Sequence, residues 1–285
     1  MAQPRFPDYV VIGAMKSGTT SLHTWLGDQP ECWVHPRWKE PQFFTARWRR
    51  GPAWYRELFR EAPADALAGE ASSEYTSPRW AGVAARRMRE TVPDARIIYV
   101  VRHPVERLRS HYRHQVQRGR ESAPLLEAVS RPGNDYVGFS MYHACLAPYI
   151  HAFPSEQILV IRTEDLDGSG WHAVLRHLGL ADRPAPGDVR NVTREKAGYG
   201  RLMLTLWERR LIPRASWVPK PARRVARRIL LHDTSAYRQH IEESEATLPD
   251  RVLEPLWADL ARLETWEGRG PLWEPATEPF VRGGR

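Results

Sequence analysis

Along the first 185 residues the chain alternates between short unbroken apolar runs and longer stretches with helical spacing. DYVVIGA (Asp8 to Ala14) is a continuous apolar run of strand length. It is followed by a glycine turn and by TTSLHTWLGDQP, whose apolar spacing, closed by Gly27 and Pro30, predicts a helix of about ten residues. ARIIYVV (Ala95 to Val101) and QILVIRTEDL (Gln157 to Leu166) read as two further buried strands. Each precedes a helical segment, at Val105 to Gln117 and at Trp171 to Leu178, and LAGEAS near Leu67 is a weaker strand candidate. Strand, turn and helix in repetition predict an α/β fold, with a central parallel sheet flanked by helices. After ADRPAPGDVRN, which reads as a loop, basic and amphipathic stretches continue to DLARLETWEGRGPLW. The expected organisation is one domain over residues 1–285, an α/β core over 1–185 and a mainly helical C-terminal part over 186–285.

Composition narrows what this fold can do. With 285 residues and 42% hydrophobic composition, the chain can bury one good core. It contains no apolar run of the roughly 18 residues that suggest a membrane span, and MAQPRFPDYV lacks the features of a secretory signal. The protein is therefore expected to be soluble and cytoplasmic. Cys32 and Cys145 are too few for a disulfide framework and read as reduced packing residues. His111 and His114 lack a carboxylate or cysteine at ligand spacing, so no metal is expected. The net charge of +8 suggests an acidic partner, but the basic residues are spread along the chain. A polyanionic small ligand fits as well as a nucleic acid. Four of the 42 basic residues are lysines, namely Lys16, Lys39, Lys196 and Lys220.

The turn after the first strand carries the first chemical signal. In GAMKSGTTSL, Gly13 and Gly18 have the separation of a Walker A loop, but Thr19 stands where the lysine belongs. The lysine lies inside the loop, at Lys16. A strand end, two glycines and a helix N-terminus still make an anion site. Ser17, Thr19, Thr20 and Ser21 add hydroxyl donors. A point charge inside the turn suits a short diphosphate-like anion better than a triphosphate tail. The second signal is RIIYVVRHPVERLRSHYRH, which places Arg102 directly after the third strand read here, Pro104 near a helix start and Ser110 about two turns on. In open α/β sheets ligands bind at the carboxyl edge, where this arginine and the first loop would meet.

With these segments in view, the chain resembles the sulfotransferases that use 3'-phosphoadenosine 5'-phosphosulfate, most closely the branch of heparan sulfate sulfotransferases and their bacterial relatives. The resemblance implies a P-loop-like three-layer fold. It gives Lys16, Ser17, Gly18, Thr19 and Thr20 to the 5' end of the donor, with Ser21 beside them, and Arg102 and Ser110 to its 3'-phosphate. HPRWKEPQFF (His35 to Phe44) resembles a third family stretch and implies Glu40 as the catalytic base. Sulfuryl transfer to an alcohol needs a base for the hydroxyl proton, a cation for the leaving oxygen and donors for the sulfonate oxygens. Glu40, Lys16 and the loop amides with Thr19 match these needs, without a metal. The implied acceptor is a small-molecule or glycan hydroxyl.

The chain also departs from that pattern. In GEASSEY, Ala71 stands where the heparan-type enzymes have a lysine, so the polysaccharide substrate is not carried over. The late loop that covers the nucleotide falls at either Lys196 or Lys220. Trp33, Trp38, Trp48, Trp54 and Trp80 suit an aromatic acceptor wall or core packing. A P-loop kinase or NTPase would need a magnesium aspartate, for which Asp165 is the candidate. A nucleic-acid-binding protein would use a basic stretch such as PKPARRVARR.

Overall fold

The computed structural model describes residues 4–187, 247–268 and 270–273. Five strands, β1 (Tyr9–Gly13), β2 (Cys32–Val34), β3 (Leu67–Ala71), β4 (Arg96–Val101) and β5 (Ile158–Arg162), form one sheet in the order β2-β3-β1-β4-β5. Every pairing is parallel. The described helices are α1 (Thr19–Gly27), α2 (Gly51–Glu57), α3 (Ala81–Thr91), α4 (Pro104–Gln117), α5 (Leu125–Ser130), α6 (Asp135–Gly138), α7 (Tyr142–Ala152), α8 (Ser169–Leu178) and α9 (Asp250–Glu267).

Burial on both faces explains the unbroken apolar strands. In β1, Tyr9 and Val11 join Leu22, Trp25 and Leu26 of α1 and Trp171, Val174 and Leu175 of α8. Val10 and Ile12 join Phe43, Phe44, Met88 of α3, Tyr149 of α7 and Leu260 of α9 on the other face. Alternation continues in β4, where Ile98 and Val100 face the first layer and Ile97, Tyr99 and Val101 the second. Each large apolar side chain so enclosed contributes roughly 1.5–3 kcal/mol. Gly69 is required by close approach, because the Tyr9 ring occupies the place of a Cβ.

Strand β4 is the fourth strand, because the pattern did not reveal β2. At three residues, β2 is too short for an alternation to register. Of the segment Gln157 to Leu166 only Ile158–Arg162 is strand: Gln157 ends a 3₁₀ turn before it, and Thr163–Asp165 is a single 3₁₀ turn after it. Cys32 and Cys145 are buried free thiols whose pKa values burial pushes up to about 12. The helix read near the C-terminus is α9. It returns to the core, where the buried Asp259 accepts hydrogen bonds from His143 N–H at 2.8 Å and Ala144 N–H at 3.0 Å, at the N-terminus of α7. Among the described residues no helix is long and apolar enough to cross a membrane, and no cluster of metal-ligating side chains occurs.

The connection after β1 leads towards β2, and that after β4 leads to β5 on the opposite side. The sheet therefore changes winding direction between the adjacent strands β1 and β4, and a crevice opens there at the carboxyl edge.

Candidate active site

The loop from Gly13 to Gly18 leaves β1 at this switch point. Its entry is fixed by a hydrogen bond from Ala14 N–H to the Val100 carbonyl at 2.6 Å. Thr163 latches its far side, with Oγ1 shared between the carbonyls of Ser17 at 2.7 Å and Val101 at 2.9 Å. Lys16 and Gly18 adopt φ of 72° and 88°, so the backbone turns left-handed twice within three residues. At Gly18 a Cβ would also press on Leu166 Cδ1, at 2.9 Å. Helix α1 begins with no side-chain cap and no acidic residue in its first turn, which leaves its N–H groups and dipole available to an external anion. Ser17, Thr19 and Ser21 are buried, and Thr20 is exposed.

Arg107, which the sequence reading overlooked, supports this loop from behind. It is fully buried in α4 and donates to Ser140 Oγ at 2.6 Å, to the Tyr136 carbonyl and to the Met15 carbonyl at 3.5 Å. It stands on the side of α4 that carries Ser110 and His111, next to the apolar face of Val105, Leu108 and Tyr112, and its place three residues before Ser110 was the one available signal. His111, one turn further, has its pKa pushed down to about 2, mainly by burial and then by the charges of Arg107, His114 and Lys16. It stays neutral at physiological pH and packs against Tyr136 and Phe139.

The segment carrying Glu40 has no regular structure of its own, yet side chains hold its backbone at nearly every step. His35 Nδ1 accepts from the N–H groups of Arg37 at 3.1 Å and Trp38 at 3.2 Å. Ala71 N–H reaches the Lys39 carbonyl at 3.0 Å, and Arg47 reaches that of Pro41 at 2.7 Å. Gln42 N–H donates to Ser72 Oγ at 3.0 Å and Phe43 N–H to the Tyr75 hydroxyl at 2.9 Å. Ser72 and Tyr75 in turn donate to Glu70, at 2.6 and 2.7 Å, and Tyr55 adds a third bond at 2.8 Å. Glu70 is thus the buried hub of the network. Burial, opposed by these three hydrogen bonds, pushes its pKa up to about 7. Phe43 and Phe44 are fully buried, and Phe43 stacks on Tyr55 with ring centroids 4.3 Å apart.

Glu40 itself is half-buried. Its Oε1 accepts from Lys39 Nζ at 3.0 Å and Ser73 Oγ at 3.3 Å. Lys39 Nζ also lies 3.3 Å from Thr19 Oγ1, so one ammonium touches both the Glu40 carboxylate and the loop. On the outer side Arg47 lies over Trp38 and Arg50 over Trp54, while Trp33, Trp48 and Trp54 pack against the core.

Arg102 follows β4 directly, and its carbonyl accepts from the Tyr142 hydroxyl at 2.6 Å. Its guanidinium lies 3.6 Å from Glu106. Ser110 is buried two turns along α4, and among the described residues no hydrogen bond joins it to Arg102. Asp165 is held by Arg162 through two hydrogen bonds, at 2.6 and 2.8 Å, and so is already engaged. Lys196, Lys220 and PKPARRVARR lie outside the described residues.

Residues 6–178 match the sulfotransferase domain family. Among curated proteins, human heparan sulfate glucosamine 3-O-sulfotransferase 6 is 36% identical over 108 residues, covering 38% of this chain and 30% of that protein. The membrane-associated sulfotransferase kil1 of Dictyostelium discoideum is 35% identical over 126 residues, covering 42% of this chain and 26% of the relative. Human bifunctional heparan sulfate N-deacetylase/N-sulfotransferase 2 is 27% identical over 200 residues, covering 62% and 22%. The chain thus spans less than a third of the length of these relatives. A solved sulfotransferase from Alicyclobacillus acidocaldarius shares the fold, with a TM-score of 0.57 at 24% identity over 82% of this chain and 99% of its own.

Proposed function

The chain belongs to the sulfotransferase domain family, and on that premise we propose that it moves a sulfuryl group from 3'-phosphoadenosine 5'-phosphosulfate to a hydroxyl of a small-molecule or glycan acceptor. The observation that carries this reading is the meeting of loop and carboxylate at Lys39, which touches Thr19 at 3.3 Å and Glu40 at 3.0 Å. A base close to an anion loop is what transfer to a hydroxyl requires, and a nucleotide-binding loop alone does not need one.

The donor set fits a small doubly anionic group. Lys16, the amides at the uncapped start of α1 and the hydroxyls of Ser17, Thr19 and Thr20, with Ser21 behind them, would hold the 5' end. Arg102 and Ser110 would take the 3'-phosphate. The bound donor supplies an activated sulfur atom. Glu40 removes the acceptor proton, Lys16 neutralises the oxyanion that departs, and the Glu70 network keeps Glu40 aimed. Glycan acceptors are favoured by the names of the relatives, and the half-buried Trp38 and Trp54 suit a sugar or an aromatic ring. With Ala71 in the lysine position, heparan sulfate itself is not the proposed acceptor.

Thermal unfolding with added nucleotides tests the donor. Adenosine 3',5'-bisphosphate at about 100 times its dissociation constant should stabilise the protein by roughly 2.7 kcal/mol, well above ATP with magnesium or duplex DNA at equal concentration. Equal or greater stabilisation by ATP with magnesium would point to a kinase or NTPase instead.

A further inference from the structure

We propose that Lys39 is a second catalytic cation of this site, paired with the Glu40 carboxylate before transfer and with the sulfonate oxygens once Glu40 has taken the acceptor proton. This rests on the donor reading given above. Lys39 is held by its backbone, through the bond from Ala71 N–H at 3.0 Å, while its side chain bridges loop and base. A surface ion pair between sequence neighbours contributes little by itself. The additional contact to Thr19 at 3.3 Å sets this pair apart, because it brings the ammonium to the first residue of α1, where the anion site begins.

The residue type supports the assignment. With lysine so scarce in the chain, arginine is the ordinary cation here. A lysine ammonium is a compact charge on a flexible stem with rotatable donors, so it can change partner without moving the backbone, whereas a guanidinium fork favours a fixed planar pairing. His23, one turn into α1, presents no competing charge, since burial and then Lys39 push its pKa down to about 4.

The sequence of bonds gives Lys39 a role distinct from that of Lys16. The acceptor oxygen bonds to sulfur as the bond from sulfur to the bridging oxygen breaks, and that electron pair stays on the 5'-phosphate, beside Lys16. The acceptor proton moves to Glu40, which becomes neutral. The attraction between Lys39 and Glu40 is lost at that moment, and the ammonium turns its charge to the sulfonate oxygens beside the loop. An interaction that strengthens only as the proton moves favours the transition state over the ground state.

Glu40→Gln imitates the neutral base and cannot accept the proton, so it allows a binding experiment. By calorimetry, E40Q should bind the phosphosulfate donor about 3- to 5-fold more tightly than wild type, because Lys39 is released to the sulfonate. Its affinity for adenosine 3',5'-bisphosphate, which lacks the sulfonate, should change less than about 2-fold. E40Q/K39M should lose the gain, and E40Q/K39R should keep part of it. An unchanged donor affinity in E40Q, or a gain that survives K39M, would overturn the assignment and leave the donor reading standing. If wild type fails to bind the bisphosphate, the donor reading fails and takes this inference with it. Thermal unfolding of each variant separates these outcomes from misfolding.

Discussion

The two sides of the site are built in different ways. The side proposed to hold the donor, around β1, α1, β4 and α4, uses backbone geometry: a loop tied to β4 and β5 by Ala14 and Thr163, two left-handed residues and an uncapped helix start, with a buried arginine behind. The side that carries the proposed base, at residues 35–45, is held by side chains that converge on one buried carboxylate, Glu70. A backbone cradle tolerates exchange of many side chains, but a hub does not. Substitutions on the base side should therefore change chemistry and pH response, and those on the donor side should change nucleotide affinity.

The largest separation of the two sides is expected at Glu40. A general base contributes about 10²- to 10⁴-fold to the rate, so Glu40→Gln should lower turnover by that factor with bisphosphate affinity nearly intact. Sulfur-labelled donor with a panel of hydroxyl acceptors measures the first quantity, and calorimetry the second. Retention of more than about a tenth of wild-type turnover on an alcohol acceptor would place the base elsewhere. His111 is a poor substitute, being buried, uncharged and enclosed by aromatic rings. His35 would be next to test, although its Nδ1 already accepts two backbone N–H groups.

The same contrast explains what the sequence revealed. A cradle made of backbone leaves a local signature, because glycines, a lysine and hydroxyl residues must occur in order after an apolar strand, and GAMKSGTTSL shows them together. The place of Arg102 at the carboxyl end of β4 was legible for the same reason, since it directly follows a strong strand. The hub was not. Glu70 is separated by 27 to 28 positions from the Gln42 and Phe43 backbones that it steadies, and Tyr55 reaches it from α2, a helix of seven residues without a clear apolar period. Arg107 was hidden differently: a charged residue on the helix side of Ser110 and His111 looks like a surface residue until the loop carbonyl above it is seen. The Lys39 and Glu40 pair was visible as KEP, but its contact with Thr19 spans 20 residues and arises only in the folded chain.

A smaller effect should expose the hub through pH. The pKa of Glu70 is raised from 4.5 to about 7 in the fold, so the native state holds a proton that the unfolded chain releases. Its contribution to stability is fully present below about pH 4.5 and is lost as pH rises through 7. A shift of this size corresponds to on the order of 3 kcal/mol. His23 and His111 act in the opposite sense, because their pKa values are depressed, and their contribution is lost as pH falls below about 6.5. The test is therefore the difference between wild type and Glu70→Gln in urea unfolding at pH 5 and pH 8. Wild type should lose more stability than the variant on going to pH 8. Parallel curves would mean that Glu70 does not titrate in this window.

The smallest effect belongs to the donor side and concerns Glu106. Arg102→Ala should weaken bisphosphate binding roughly 10- to 100-fold, as expected for the loss of a charged contact to phosphate, and should barely affect an analogue without the 3'-phosphate. In the unliganded chain, however, the Arg102 guanidinium lies 3.6 Å from the Glu106 carboxylate, which also takes a 3.2 Å contact from Arg109. A phosphate arriving at Arg102 must compete with that carboxylate and tolerate its negative charge. Both side chains are partly exposed, so the pair is worth only about 0.2–1 kcal/mol. Glu106→Gln should therefore tighten bisphosphate binding by no more than about 5-fold, with the gain absent for the analogue without the 3'-phosphate. The same change should slightly lower thermal stability, because Glu106 lies in the first turn of α4, where a negative charge favours the helix dipole. Tighter binding in a less stable protein is hard to obtain by a general structural effect. An equal gain for both nucleotides would instead show that Glu106 acts through overall charge and that Arg102 does not meet the 3'-phosphate.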